Sequence, residues 1–247
     1  MRKEMSNSAR LAMFAPLDQV GRAEAVAARL FDAITLGLLD DAEQLPSEAE
    51  LAAQFRVSTV TVREALAVLR QQGLVETRRG RGGGSFVRTP DWPAQSSWAE
   101  RLRLVSMAEL RDFGDHYLAV AGSAAKLAAE RSTPEDLERL RMTAEDLLGA
   151  SGPDATRAER HFHLEVAAAA QSPRLTNQEV QLQSEHGVLL WAPLGDKETC
   201  RGSYAEHQAI VSAIASADGD RARALTEDHL LGALDRLADL HLSLETP

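Results

Sequence analysis

The stretch from residue 45 to 87, LPSEAELAAQFRVSTVTVREALAVLRQQGLVETRRGRGGGSFV, constrains the fold more than any other part of the chain. Leu45, Leu51, Ala52 and Phe55 share one face of a first helical segment. Ser47, with Glu50 three residues on, has the spacing of a capping box, in which each side chain satisfies a backbone N–H that a helix start leaves unpaired. Val57 and Ser58 form the turn, and Val62, Ala65, Leu66 and Leu69 make the apolar side of a second helix, as a period of 3.6 requires. Leu74–Thr77 and Ser85–Val87 then read as two short strands around RRGRGGG, a cationic tip whose glycines let it take many shapes. Helix, turn, helix and hairpin in that order make a winged helix-turn-helix, which lays its second helix in the major groove of DNA.

Ser58, Thr59 and Thr61 sit at the exposed start of the second helix, where hydroxyls reach phosphates or base edges. Arg63 follows on the same face, and its fork suits a guanine edge or a phosphate; the competing role is a surface ion pair with Glu64 or another neighbour. Arg78, Arg79 and Arg81 in the tip are placed to follow the DNA backbone or minor groove.

The net charge of −10 looks unsuited to a DNA binder until it is divided. Residues 1–90 carry 12 Lys/Arg against 11 Asp/Glu, and the remainder 15 against 26. Across residues 56–88 seven arginines face two glutamates. A local basic face on an acidic body favours docking through one end only. One cysteine, Cys200, excludes an internal disulfide framework and a cysteine-based zinc finger. No apolar run approaches the roughly 20 residues that cross a bilayer, and the N-terminal residues lack the continuous apolar core of a signal peptide. A cytoplasmic protein without a membrane partner is expected.

The expected organisation is mainly α: a flexible arm over residues 1–15, a winged helix-turn-helix with a small β-wing over 16–89, a proline-containing linker over 90–97, and an all-helical bundle over 98–247. A helix over about 19–39, with Val20, Ala27, Leu30, Ile34 and Leu38 on its apolar side, precedes the helix-turn-helix. In the bundle, helices are expected at about 97–104, 107–131, 134–149, 155–171, 174–191, 203–217 and 219–243, with prolines and glycines at the joints.

Glu159 and His163 stand four residues apart, so both project from one face of one helix. His207 and His229 lie on later helices among apolar residues. One carboxylate and three imidazoles inside a bundle would suit a divalent ion, zinc first, with nickel, manganese or iron as alternatives. The competing reading is a solvated helix-face pair, and His161, two residues away on another face, is a rival ligand.

The first 90 residues resemble the GntR family of bacterial regulators in their LPSE, TVREAL, GLVE and RRGRGGGSFV segments. The remainder resembles the all-helical FCD ligand-binding domain of the FadR subfamily, through LAAERSTPEDLERL, ERHFHLEVAAAA and EHQAIVSAIASADGDRARALTEDHL. The resemblance implies a homodimer on a palindromic operator, modulated by a small organic acid. It also implies a metal on an acidic residue and a histidine four apart, plus two later histidines, which fall here on Glu159, His163, His207 and His229. Glu159 stands where that pattern has aspartate, and Tyr117 and Ala121 stand where many members have arginine and glutamate, so Tyr117 becomes a candidate effector-pocket residue. Gly80 in the wing matches the family, whereas Ala49 and Thr59 replace arginines.

The expected function is a sequence-specific DNA-binding regulator, a repressor and not an enzyme. Two alternatives stand beside it: a DNA-binding dimer whose helical domain is degenerate and ligand-free, and a helical metalloenzyme in which Glu159, His163, His207 and His229 activate a water.

Overall fold

The computed structural model of the chain describes residues 21–36, 39, 41–80, 82–88, 97–192 and 197–245. The arm expected at 1–15, linker residues 90–96 and Arg81 lie outside the described residues, as do Val20 and Leu38. Two compact units emerge, one within Met1–Phe31 and Asp41–Arg88, the other within Asp32–Asp40 and Thr89–Pro247.

The first unit contains α1 (Arg22–Thr35, whose last residues fall in the second unit), α2 (Glu48–Phe55), α3 (Thr59–Gln71), β1 (Val75–Arg78) and β2 (Gly84–Val87). α1 ends at Thr35, earlier than the periodicity predicts; the sequence turns there to a glycine at 37, a poor helix former. Ser47 and Glu50 form the expected capping box on α2. The turn to α3 contains Val57 and Ser58, as expected, and begins at Arg56, which takes the left-handed conformation at φ 54°. A left-handed conformation costs a non-glycine residue about 1 kcal/mol, and here it lets the Val57 N–H reach the Ala52 carbonyl at 3.0 Å.

Ser58 caps α3, and Val62, Ala65, Leu66 and Leu69 are buried beneath it. β1 and β2 pair antiparallel in the register Val75↔Val87 to Arg78↔Gly84. Residues 42–45 also pair with β2: the Ala42 N–H donates to Val87 O, Val87 N–H to Glu43 O, and Leu45 N–H to Ser85 O. That third partner carries little strand signal in sequence, because an acid and an amide precede its one large apolar residue, Leu45.

The second unit is helical: α4 (Ser97–Leu104), α5 (Met107–Arg131), α6 (Pro134–Glu145), α7 (Pro153–Ala169), α8 (Pro173–Leu182), a π-helical turn (Gln183–Gly187), α9 (Val188–Trp191), α10 (Lys197–Ala215) and α11 (Gly219–Glu245). Proline opens α6, α7 and α8, where its missing N–H costs nothing. Capping boxes at Ser106/Glu109 and Thr133/Asp136 fix the starts of α5 and α6.

The single helix expected over 174–191 is interrupted by the π turn, and the one expected from 203 begins at Lys197. α7 packs against α5, α6, α8 and α9. It is buried on most of its circumference, yet it carries Glu159, Arg160 and His163 among its buried residues. Polar groups so placed cost free energy unless partnered.

Ser47→Ala should lower the unfolding free energy by about 1 kcal/mol, because Ser47 Oγ accepts the Glu50 N–H and the Glu50 carboxylate accepts the Ser47 N–H. Urea melts of the two proteins measure it; an unchanged midpoint would mean the box contributes nothing.

Candidate metal centre and nucleic-acid interface

Glu159, His163, His207 and His229 converge in the interior of the bundle. All four are buried, and their ligating atoms lie within 4.8 Å of one another. Glu159 Oε2 is 3.0 Å from His207 Nε2, 3.3 Å from His229 Nε2 and 3.9 Å from His163 Nε2. None of these contacts is aligned as a hydrogen bond, and both Glu159 oxygens and all three Nε2 atoms lack a hydrogen-bond partner. Metal–ligand bonds of about 2.0–2.2 Å put ligands of one ion roughly 3 to 4.4 Å apart, a range these three separations share. The residues therefore fit a divalent ion, with the longer glutamate side chain reaching the histidines.

The rings are held from behind. Phe162 stacks on His207 at 3.6 Å between centroids, and Trp191 stacks on His163 at 5.0 Å. Glu206 Oε2 lies 2.5 Å from His229 Nδ1; an Nδ1–H donated to that carboxylate leaves the Nε2 lone pair facing the cluster, the usual outer-shell device for a histidine ligand. Glu206 adjoins His207 in sequence, and nothing in its spacing singles it out there.

Burial would raise Glu159, but His207 and His229 outweigh it and hold the carboxyl well below its usual range. Burial lowers His163 and His207, keeping both imidazoles neutral. Burial would also lower His229, yet Glu159 and Glu206 on either side raise it to about 9. A proton on His229 thus balances the carboxylate in the free cluster, and an ion would take its place. His161, the rival, instead faces the Leu36 carbonyl at 3.1 Å.

The DNA-facing candidates are more unequal than the sequence suggests. Thr59 is exposed at the start of α3, while the Ser58 hydroxyl accepts the Thr61 N–H at 3.1 Å and pairs with the Thr61 hydroxyl at 2.9 Å. Arg63 Nη2 lies 2.9 Å from Glu48 Oε2, so its ion-pair partner is Glu48 and not the adjacent Glu64. Arg78 is drawn back to the wing stem, 2.7 Å from Glu76 and 4.2 Å over the Phe86 ring. Arg79 is exposed and makes no ion pair among the described residues. Gly80, at φ 102°, supplies the left-handed backbone of the tip. Arg81 lies outside the described residues.

Tyr117 is fully buried. Its hydroxyl donates to Glu179 Oε1 at 2.7 Å and accepts from Gln183 Nε2 at 2.5 Å. Gln183 also donates to Glu179 at 2.9 Å, and the Tyr117 ring lies 6.1 Å from that of His163. Glu179 and Gln183 are i and i+4 across the entry to the π turn, and nothing in their spacing singles them out in sequence.

Burial pushes the Glu179 carboxyl from 4.5 to about 7, against the two hydrogen bonds. The folded protein keeps a proton that the unfolded chain releases, so the stability tied to it is complete below pH 4.5 and is lost as pH rises to about 7. Each pH unit is worth about 1.4 kcal/mol, so the loss is roughly 3 kcal/mol. Glu179→Gln removes this titration. Its stability relative to the parent should rise between pH 5 and pH 7.5 in urea melts, and a constant difference would contradict the assignment.

Two family profiles match the chain: "Bacterial regulatory proteins, gntR family" over residues 22–84, and "FCD domain" over residues 114–232. A Mycobacterium gastri protein assigned as the HTH-type transcriptional regulator RmpR is 40% identical over 235 residues, 94% of this chain and 86% of that protein. An Escherichia coli K12 protein assigned as the L-lactate dehydrogenase operon regulatory protein is 32% identical over 211 residues, 78% of this chain and 77% of its own length. Among solved structures, E. coli McbR/YncC shares the fold with a TM-score of 0.54 at 20% identity, covering 90% of this chain and 99% of that one. Among the described residues no helix is long and apolar enough to cross a membrane. The chain belongs to the GntR family of bacterial regulators, in the FadR-like branch that carries an FCD domain, and is a transcriptional regulator and not an enzyme.

Proposed function

We propose that the protein is a cytoplasmic homodimeric repressor. It reads a palindromic operator, and its grip on DNA is set by a small carboxylate bound at a divalent ion in the bundle. The observation that carries the effector half of this reading is the set of three partnerless imidazole nitrogens around Glu159 Oε2 in the buried interior. Glu159, His163, His207 and His229 would hold the ion, zinc first, with nickel, manganese and iron open to the same donor set. The ion would offer a Lewis-acid position to a carboxylate oxygen. Tyr117 borders this site, but its hydroxyl is already committed to Glu179 and Gln183. The arginine that many relatives place there has no direct substitute in Tyr117, and the ion must carry more of the ligand's charge. The relative named for an L-lactate dehydrogenase operon makes short hydroxy-carboxylates the first ligands to try.

On the DNA side, Thr59 and Arg63 contact base edges, and Ser58 and Thr61 set the helix start against a phosphate. Arg78, Arg79 and Arg81 follow the backbone around Gly80. Arg63 must exchange Glu48 for DNA, which an exposed ion pair permits at little cost. Two copies would present their α3 helices to half-sites about one helical turn apart. A protein docked over a promoter obstructs it, hence repression.

Operator binding of the metal-loaded protein, measured with and without L-lactate and related acids, tests the effector half: at least one acid should shift the operator Kd about tenfold or more. If none does, the bundle serves dimerisation alone. Arg79→Ala should weaken binding to all sequences alike and reduce the slope of log affinity against log salt by about one; an unchanged slope removes Arg79 from the interface. Glu206→Ala should weaken metal binding by roughly 10- to 100-fold with the far-UV spectrum unchanged, and equal affinity would deny Glu206 its positioning role.

A further inference from the structure

Four buried side chains can be reached from solvent only through the wall around them, and that wall is uneven. Phe162 and Trp191, both fully buried, cover the rings of His207 and His163 at centroid separations of 3.6 and 5.0 Å. Glu159 and His163 sit on α7, which packs against α5, α6, α8 and α9. Close-packed rings and helices of this kind leave no room for a hydrated cation. Behind His229 the backing is different. Its Nδ1 meets the Glu206 carboxylate, and that side chain is 52% exposed although the His229 side chain is fully buried. One carboxylate therefore touches both solvent and a member of the cluster.

A cleft of about 310 Å³ opens at this point between α10 and α11. Ala205, Glu206 and Ala209 line it from α10, and Leu225, Asp228 and His229 from α11. The space exists because α10 carries alanine one position before Glu206 and again three positions after it, where a longer side chain would fill it. Asp228 is exposed and makes no ion pair among the described residues, so its charge stands free at the rim. Two carboxylates in a cleft with otherwise apolar walls focus the field and raise the local concentration of cations. Their oxygens also stand in for waters that a cation sheds on leaving bulk solvent, which offsets part of the cost of burial. At the inner end stands the His229 ring, which belongs to both spaces: it lines the cleft, and its Nε2 lies 3.3 Å from Glu159 Oε2 with no hydrogen-bond partner.

We propose that the cleft between α10 and α11 is the passage through which a divalent cation enters and leaves the bundle, with Asp228 and Glu206 as its oxygen donors and His229 as its inner gate. The inference rests on the metal reading above and adds the route. It also gives Glu206 a second role: besides orienting the His229 ring, it is the last donor between solvent and the cluster. Exchange is then governed by the α10–α11 contact. Closing that contact slows loading and loss together while the four ligands stay as they are.

Stopped-flow transfer of zinc between a chromophoric chelator and the full-length protein tests the passage in both directions. Ala209→Phe fills the cleft and changes no ligand. It should slow uptake and release alike by about tenfold or more and leave the equilibrium Kd within about twofold of the parent's. Asp228→Lys alters only the surface charge at the rim. It should slow uptake at low salt, with the difference from the parent closing at about 1 M salt, where screening acts over roughly 3 Å. Parent-like rates in both variants, or an Ala209→Phe protein that loses affinity while its uptake rate is unchanged, would overturn the passage and leave the metal centre standing. A parent protein that takes up neither zinc nor nickel nor manganese would overturn the metal reading and the passage with it.

Discussion

The bundle is organised around one electrostatic arrangement: a buried carboxylate facing three imidazoles. Glu159 sits where desolvation alone would neutralise it, and it remains ionised because His207 and His229 stand 3.0 and 3.3 Å away. Much of the surrounding structure can be understood as support for that group. α7 is central and holds Glu159 and His163 away from the surface; Phe162 and Trp191 fix two rings by stacking; Glu206 sets the tautomer of the third. A core of alanines on α5 and α7, including Ala124, Ala125, Ala128 and Ala167, lets the helices approach closely enough to bring the ligands together. Replacing the cluster by apolar residues would spare the cost of desolvation, so its presence points to use and not to stability.

Much of this was legible in the chain itself. Capping boxes, proline at helix starts and the 3.6-residue period locate most helices within a few residues, because they act over one or two turns. The i, i+4 spacing of Glu159 and His163 fixes their common face for the same reason. What sequence could not supply are relations across long separations. Residues 42–45 pair with β2 through backbone groups alone. Glu206 reaches His229 across 23 positions, and Tyr117 meets Glu179 across 62. The π turn at Gln183–Gly187 rests on one extra residue per turn, for which amino-acid type gives no local signal. That His207 and His229 meet Glu159 was implied by family resemblance, and spacing could not have established it.

The DNA-binding end follows a different logic, in which a fixed scaffold presents charges that are only loosely held. The capping of α3 by Ser58 and the left-handed Arg56 hold the helix start rigidly. Arg63 and Arg78, by contrast, have carboxylate partners at the surface, at 2.9 and 2.7 Å. Such pairs are weak in water. A stronger anionic partner could therefore displace either carboxylate at little cost. Ala49 and Thr59 are both uncharged, so across α2, α3 and the hairpin the exposed positive charge is carried by Arg63 and the wing.

X-ray absorption at the metal edge of tag-free protein shows whether the four buried side chains hold one ion together. The expected result is about one divalent ion per chain, bound by three imidazole nitrogens and carboxylate oxygen at roughly 2.0–2.2 Å, and loss of that spectrum in His163→Ala. Protein that stays metal-free after zinc, nickel and manganese are each offered, or an ion whose shell is unchanged in His163→Ala, would contradict it.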